Sequence, residues 1–259
     1  MTPSGGRTAH DATAVVMTAS TSTRRGAVSM PGSEPAGLDV GAPRLDAALG
    51  TAERPTWRGR LHLIALWWAL PLVVVLAVEA DGARSRAGAI VYGIGLCSML
   101  AVSTTYHRWV HTLRARAWLR RADHATIFAL IAGTCTALAL TSLSTGLAIA
   151  MVVAMWIASA VGAGAKLTRF ERVSRLGPVL YIALGWSGVA LLPAMWERGG
   201  LLPVACFVGG GIVYTVGAIG FARRWPRLRP STFSYHEVWH AFTIAAAGLH
   251  FTAIATLAT

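Results

Sequence analysis

Residues 145–165 read TGLAIAMVVAMWIASAVGAGA, a run without one charged side chain. A helix of that length, at a rise of 1.5 Å per residue, spans about 30 Å, the thickness of the hydrocarbon core of a bilayer. Six more apolar runs of similar length flank it, at 61–79, 88–107, 124–142, 177–196, 201–221 and 237–257. The link from Ser142 to Thr145 is so short that the runs at 124–142 and 145–165 must be antiparallel neighbours. Gly209-Gly210-Gly211 and Gly162-Ala163-Gly164 provide small surfaces on which helices can approach closely. The expected fold is all-α, a seven-transmembrane helix bundle.

The connections fix an orientation. Arg54, Arg58 and Arg60 precede the first run, and Arg108, Arg114, Arg116, Arg120 and Arg121 lie between the second and third. Lys166, Arg169, Arg172 and Arg175 follow the fourth, and Arg223, Arg224, Arg227 and Arg229 follow the sixth. The alternate connections carry balanced charge (Glu79 and Asp81 with Arg84 and Arg86, Glu197 with Arg198) or, at 142–145, none. Basic residues concentrate in cytoplasmic loops. The expected topology therefore has a cytoplasmic N-terminus and, after seven crossings, a C-terminus outside.

Composition agrees. Of 259 residues, 54% are hydrophobic and 13% charged, with a mean hydropathy of +0.54. Soluble domains carry closer to one quarter charged residues. The formal charge of +12 would suit a nucleic-acid partner, but it is spread in short clusters between membrane spans, and no nucleic acid is expected. Residues 1–55 are rich in Thr, Ser, Gly, Pro and Ala without periodicity, and read as a disordered N-terminal segment ahead of a membrane domain at 56–259. The segment lacks the compact apolar core of a signal peptide, and Met30 is an alternative start. Cys97, Cys135 and Cys206 fall inside apolar runs and read as small core residues. Trp57, Trp118, Trp196, Trp225 and Trp239 stand near run ends, as interfacial anchors do.

The chemistry is concentrated in a few polar residues. Ser103 and His107 are four apart near the end of the second run, and His236 and His240 are four apart at the start of the seventh. That spacing puts each pair on one helix face. Asp123 and His124 open the third run. The topology brings Ser103, His107, Asp123, His236 and His240 to one depth, at the cytoplasmic boundary. Zinc favours tetrahedral imidazole ligation with a position left for water in catalytic sites. His236 and His240 supply two ligands and His107 a third, with Asp123 either orienting a water or closing the coordination. His250 lies fourteen residues beyond His236, too far along the helix to join them. His62 reads as interfacial and His111 as facing water.

His236-Glu237-Val238-Trp239-His240 also matches H-E-x-x-H, the zinc-protease pattern with Glu as general base. A third ligand downstream of that motif is lacking, and Glu237 points about 100° away from His236, which argues against the protease.

Further segments carry a resemblance: Ser103-Thr104-Thr105-Tyr106-His107, Trp118-Leu119-Arg120-Arg121-Ala122-Asp123-His124, Ile131-Ala132-Gly133-Thr134, Tyr181 with Gly185-Trp186, Gly210-Gly211 with Tyr214-Thr215 and Gly217, and His236-Glu237 with Trp239-His240. In this order and spacing, over about residues 55–257, the chain resembles the hemolysin III family, the bacterial branch of the progestin and adiponectin receptor superfamily. The resemblance implies a seven-helix bundle of the cell membrane that holds Zn2+ through His107, His236 and His240, with Asp123 and Ser103 nearby. Related members, and the distantly similar alkaline ceramidases, imply hydrolysis of a lipid amide. The leading expectation is a zinc-dependent hydrolase of a membrane lipid amide or ester whose acyl chain lies in the bundle. Asp123 would be its general base, and Ser103 would stabilise the oxyanion. A non-catalytic sensor or receptor-like protein with a structural zinc is the alternative, and the family name suggests a pore-forming cytolysin as a third reading.

Overall fold

The computed structural model describes residues 54–173 and 176–259. Residues 1–53, nearly all of the N-terminal segment, and Ser174 and Arg175 lie outside them. The described chain is built from helices α1 (Arg60–Glu79), α2 (Gly82–Arg108), α3 (Leu113–Ser142), α4 (Thr145–Thr168), a single turn α5 (Phe170–Val173), α6 (Gly177–Trp186), α7 (Leu192–Gly199), α8 (Leu201–Ala222) and α9 (Tyr235–Ala258). A 3₁₀ turn at Ser187–Leu191 joins α6 to α7, so Gly177–Gly199 crosses as one unit. Among the described residues, seven such units are long and apolar enough to cross a membrane, at the seven runs expected.

Two helices extend beyond the apolar runs. α3 starts at Leu113 rather than near 124, with the Thr112 hydroxyl accepting from the Ala115 amide at 3.1 Å. The extension, LRARAWLRRA, consists mostly of strong helix formers, so the helix starts well ahead of the apolar run. Asp123 and His124 consequently sit almost three turns inside α3 rather than at its start. α2 starts at Gly82, and Arg84 in its first turn donates to the Leu143 carbonyl at 2.9 Å, tying the two charge-poor connections together.

The fifth span is broken for a local reason. Pro193 has no amide hydrogen to offer the carbonyl four residues back. The Leu192 amide instead bonds Val189, three residues back, and the backbone tightens into the 3₁₀ turn.

Small residues set the closest approach, between α2 and α3. A Cβ added at Gly88 would lie 2.9 Å from the Ala137 Cα, and one at Gly95 would lie 3.1 Å from the Ala129 carbonyl. Without a hydrophobic driving force between helices in lipid, such backbone contact supplies the dispersion that holds them. Large apolar side chains elsewhere face outward: Trp67 is 71% exposed and Val161 69%. A surface of this kind requires hydrocarbon as its solvent.

The connections gather at two ends. At the charge-poor end the Asp81 amide bonds the Ala258 carbonyl at 2.7 Å, and Arg198 donates to Leu257. At the arginine-rich end, residues ahead of α1 pair with the α8–α9 connection, Thr56 to Ser231 at 3.1 Å and Trp57 to Thr232 at 3.2 Å.

Candidate metal centre

Two helices bring three imidazoles together. His107 is in the last turn of α2, and His236 and His240 are in the first two turns of α9. One nitrogen of each lies within 4.8 Å of the others, and His107 Nε2 and His236 Nε2 are 3.2 Å apart. Two nitrogens bound to one tetrahedral zinc at about 2.05 Å each would be separated by about 3.3 Å. The His107–His236 pair therefore has the spacing of two ligands on one ion, and the three histidines form a group that could hold a metal ion.

The start of α9 is held rigidly. Ser234 caps the helix by accepting from the His236 amide at 3.3 Å, while Glu237 accepts from the Ser234 amide at 2.7 Å, completing a capping box. Glu237 is 1% exposed, and its other oxygen receives Arg58 Nε from the segment ahead of α1. A second nitrogen of Arg58 lies 3.3 Å from Ser234 Oγ. Glu237 is thus committed to capping and to an ion pair. That position removes it as the general base of a zinc-protease motif.

The same segment orients His107. Arg54 Nη1 donates to the His107 carbonyl at 3.1 Å. Gly59 has φ of +74°, and a Cβ there would stand 2.8 Å from His107 Cβ. Only glycine meets both demands, because an L side chain is strained at that φ and would push the ligand aside.

Asp123 and Ser103 lie beside the three histidines. Asp123 Oδ2 is 3.8 Å from His107 Nε2, beyond hydrogen-bonding distance but on the flank of the triad. The buried Ser103 hydroxyl is a polar neighbour of the Asp123 carboxylate. Both line a cavity of about 200 Å³ that has His236 and His240 in its wall and runs into the bundle between α2, α3, α6, α8 and α9. Its wall is mostly apolar, with Leu130, Ile182, Phe207 and Ala247 among the residues lining it.

His62 departs from the interfacial reading. It is 3% exposed and its ring stacks on His240, with centroids 3.9 Å apart and planes within 8°. Neither of its nitrogens has a partner among the described residues, and it lines the cavity. The first turn of α1 is drawn inward by the Arg58 and Gly59 contacts, and a lone histidine in a sequence does not reveal this. Trp239 also departs from its expected role: it packs on Phe221 and Tyr214 and forms cavity wall, while Trp57, Trp118, Trp196 and Trp225 are exposed. His111 is exposed, as expected, and Cys135 is buried while Cys97 and Cys206 are half-buried.

A family model described as haemolysin-III related matches residues 51–251. Hemolysin-3 of Bacillus cereus is 28% identical over 193 residues, covering 73% of this chain and 85% of the relative. A hemolysin-3 homolog of Bacillus subtilis is 24% identical over 183 residues, covering 71% and 83%. The monocyte to macrophage differentiation factor of Homo sapiens is 28% identical over 180 residues, covering 68% and 72%. With a model match that spans most of the seven-helix region, the chain belongs to the haemolysin-III-related family, as a multi-pass protein of the cell membrane.

Proposed function

We propose that this protein is a zinc-dependent hydrolase of a lipid amide or ester, acting at the cytoplasmic side of the bilayer. The observation that carries the reading is a group of three imidazoles, two of which line a mostly apolar cavity together with a carboxylate and a hydroxyl. His107, His236 and His240 would hold the ion, which supplies Lewis acidity toward a carbonyl and activates a water. Asp123 Oδ2, beside the triad and unencumbered by an arginine, accepts the proton that the water loses. The Ser103 hydroxyl donates to the developing oxyanion. The cavity takes the acyl chain and keeps bulk water from it. Asp123→Asn should retain zinc and lose at least about 100-fold in turnover of a fluorogenic lipid amide. Unchanged turnover in that variant would remove Asp123 from the mechanism.

One observation favours a second reading. The 3.8 Å between Asp123 Oδ2 and His107 Nε2 exceeds the spacing of two ligands on one ion by only about 0.5 Å, so a rotation of the carboxylate would let Asp123 close the coordination of a structural zinc in a sensor. In that case Asp123→Asn weakens zinc itself, which the same experiment reads out.

A further inference from the structure

The cavity has polar groups at a second level that the metal chemistry does not use. Tyr214, on α8, lines it, yet its buried hydroxyl has no partner among the described residues. Leaving such a group unbonded is costly, so it calls for a ligand atom. Its ring lies 6.5 Å from that of Trp239 and 5.7 Å from that of His250. His250 is ten residues beyond His240, about 15 Å further along α9. The phenol therefore stands between the metal end and His250.

His250 is itself held in place. A Cβ at Gly210 would lie 2.4 Å from the His250 ring, so the glycine makes the room in which the imidazole sits. His250 Nε2 faces the Phe207 carbonyl at 3.2 Å, and the ring stacks on that of Phe207. A carbonyl only accepts, so Nε2 carries the hydrogen, and in the neutral ring Nδ1 is left as an acceptor. One helix thus offers a hydroxyl donor and the next an imidazole acceptor, in an otherwise apolar stretch. Ionisable groups at this depth are expensive and generally serve a ligand.

We propose that Tyr214 and His250 form a second polar subsite of the cavity, which receives a hydroxyl carried on the body of the lipid chain. An alcohol has the chemistry both partners need: it would accept from Tyr214 and donate to His250 Nδ1, with the Tyr214 hydroxyl turning toward it. A plain hydrocarbon satisfies neither. The inference rests on the reading that an acyl chain occupies the cavity, and it narrows the substrate class to hydroxylated lipids.

The test is equilibrium binding of two radiolabelled probes, stearate and a stearate with a mid-chain hydroxyl, to the full-length zinc-loaded protein in nanodiscs. The wild type should bind the hydroxylated probe about tenfold tighter, the effect of two modest hydrogen bonds. Tyr214→Phe should erase most of that preference while leaving stearate binding unchanged. Equal binding of both probes by the wild type overturns the subsite, with a resident water satisfying Tyr214, but leaves the acyl reading standing. A preference that survives Tyr214→Phe, or a loss of both probes in equal measure, also overturns it. Failure of both probes to bind the zinc-loaded wild type overturns the subsite and the acyl reading together.

Discussion

Gly59 and Gly82 make a matched pair of perturbations. Both have positive φ, +74° and +75°, so Gly59→Ala and Gly82→Ala each carry the same backbone strain of about 1–2 kcal/mol. They differ in what the new methyl meets. At Gly82 nothing lies within 4 Å, whereas at Gly59 it would stand 2.8 Å from His107 Cβ and 3.0 Å from Arg108 Cγ. Ordinary contact begins at 3.4 Å, so His107 must retreat by about 0.6 Å. Its Cβ is fixed to the backbone of α2 and cannot swing away. Zinc sites tolerate ligand displacements of only about 0.2 Å. The expected result is a loss of roughly 10–100-fold in zinc affinity for Gly59→Ala, the range seen when ligand orientation is disturbed. Gly82→Ala should lose thermal stability but keep wild-type zinc affinity. The assay is chelator competition on both purified variants, with Trp fluorescence melting as the stability control. Equal zinc affinity in the two would refute the claim that Gly59 positions the ligand.

Arg58→Ala should strand Glu237 in a buried position with only its Ser234 contacts, at a cost of about 3 kcal/mol; a melting temperature within a degree of wild type would contradict this. Glu237→Gln keeps one acceptor for the cap and should leave lipid-amide turnover within a few-fold of wild type in a steady-state assay, whereas a protease-type general base predicts collapse. His62→Ala removes the ring stacked on His240 and should weaken zinc about tenfold by competition titration, while His62→Phe, which preserves a flat face, should not. Equal behaviour of the two His62 variants would mean that the stack is incidental.

The seven spans were legible because lipid allows so few solutions: backbone groups must be satisfied within a segment, and length and hydropathy then mark each helix. The candidate triad was legible because i, i+4 spacing and the charge pattern of the loops together put His107, His236 and His240 at one depth. The N-terminal turns of α3 were not, since Leu113–Ala122 is polar enough to resemble a loop and hydropathy does not separate a solvated helix from one. The roles of Gly59 and Arg58 were also hidden. A positive φ leaves no mark beyond the glycine itself, and the partner of Arg58 is 179 residues away. His62 escaped for the same reason, because only the strap ahead of α1 turns it inward. Tyr214 and His250 were visible as residues but not as a pair, because their meeting depends on the gap left by Gly210.

Zinc content of the detergent-purified full-length protein, wild type beside a His236→Ala/His240→Ala double variant, tests the central claim most directly. The account predicts about one zinc per chain in the wild type and none above background in the variant. A folded wild type without zinc after purification in zinc-supplemented buffer would reduce the three histidines to polar packing groups, and the hydrolase reading would fall with them.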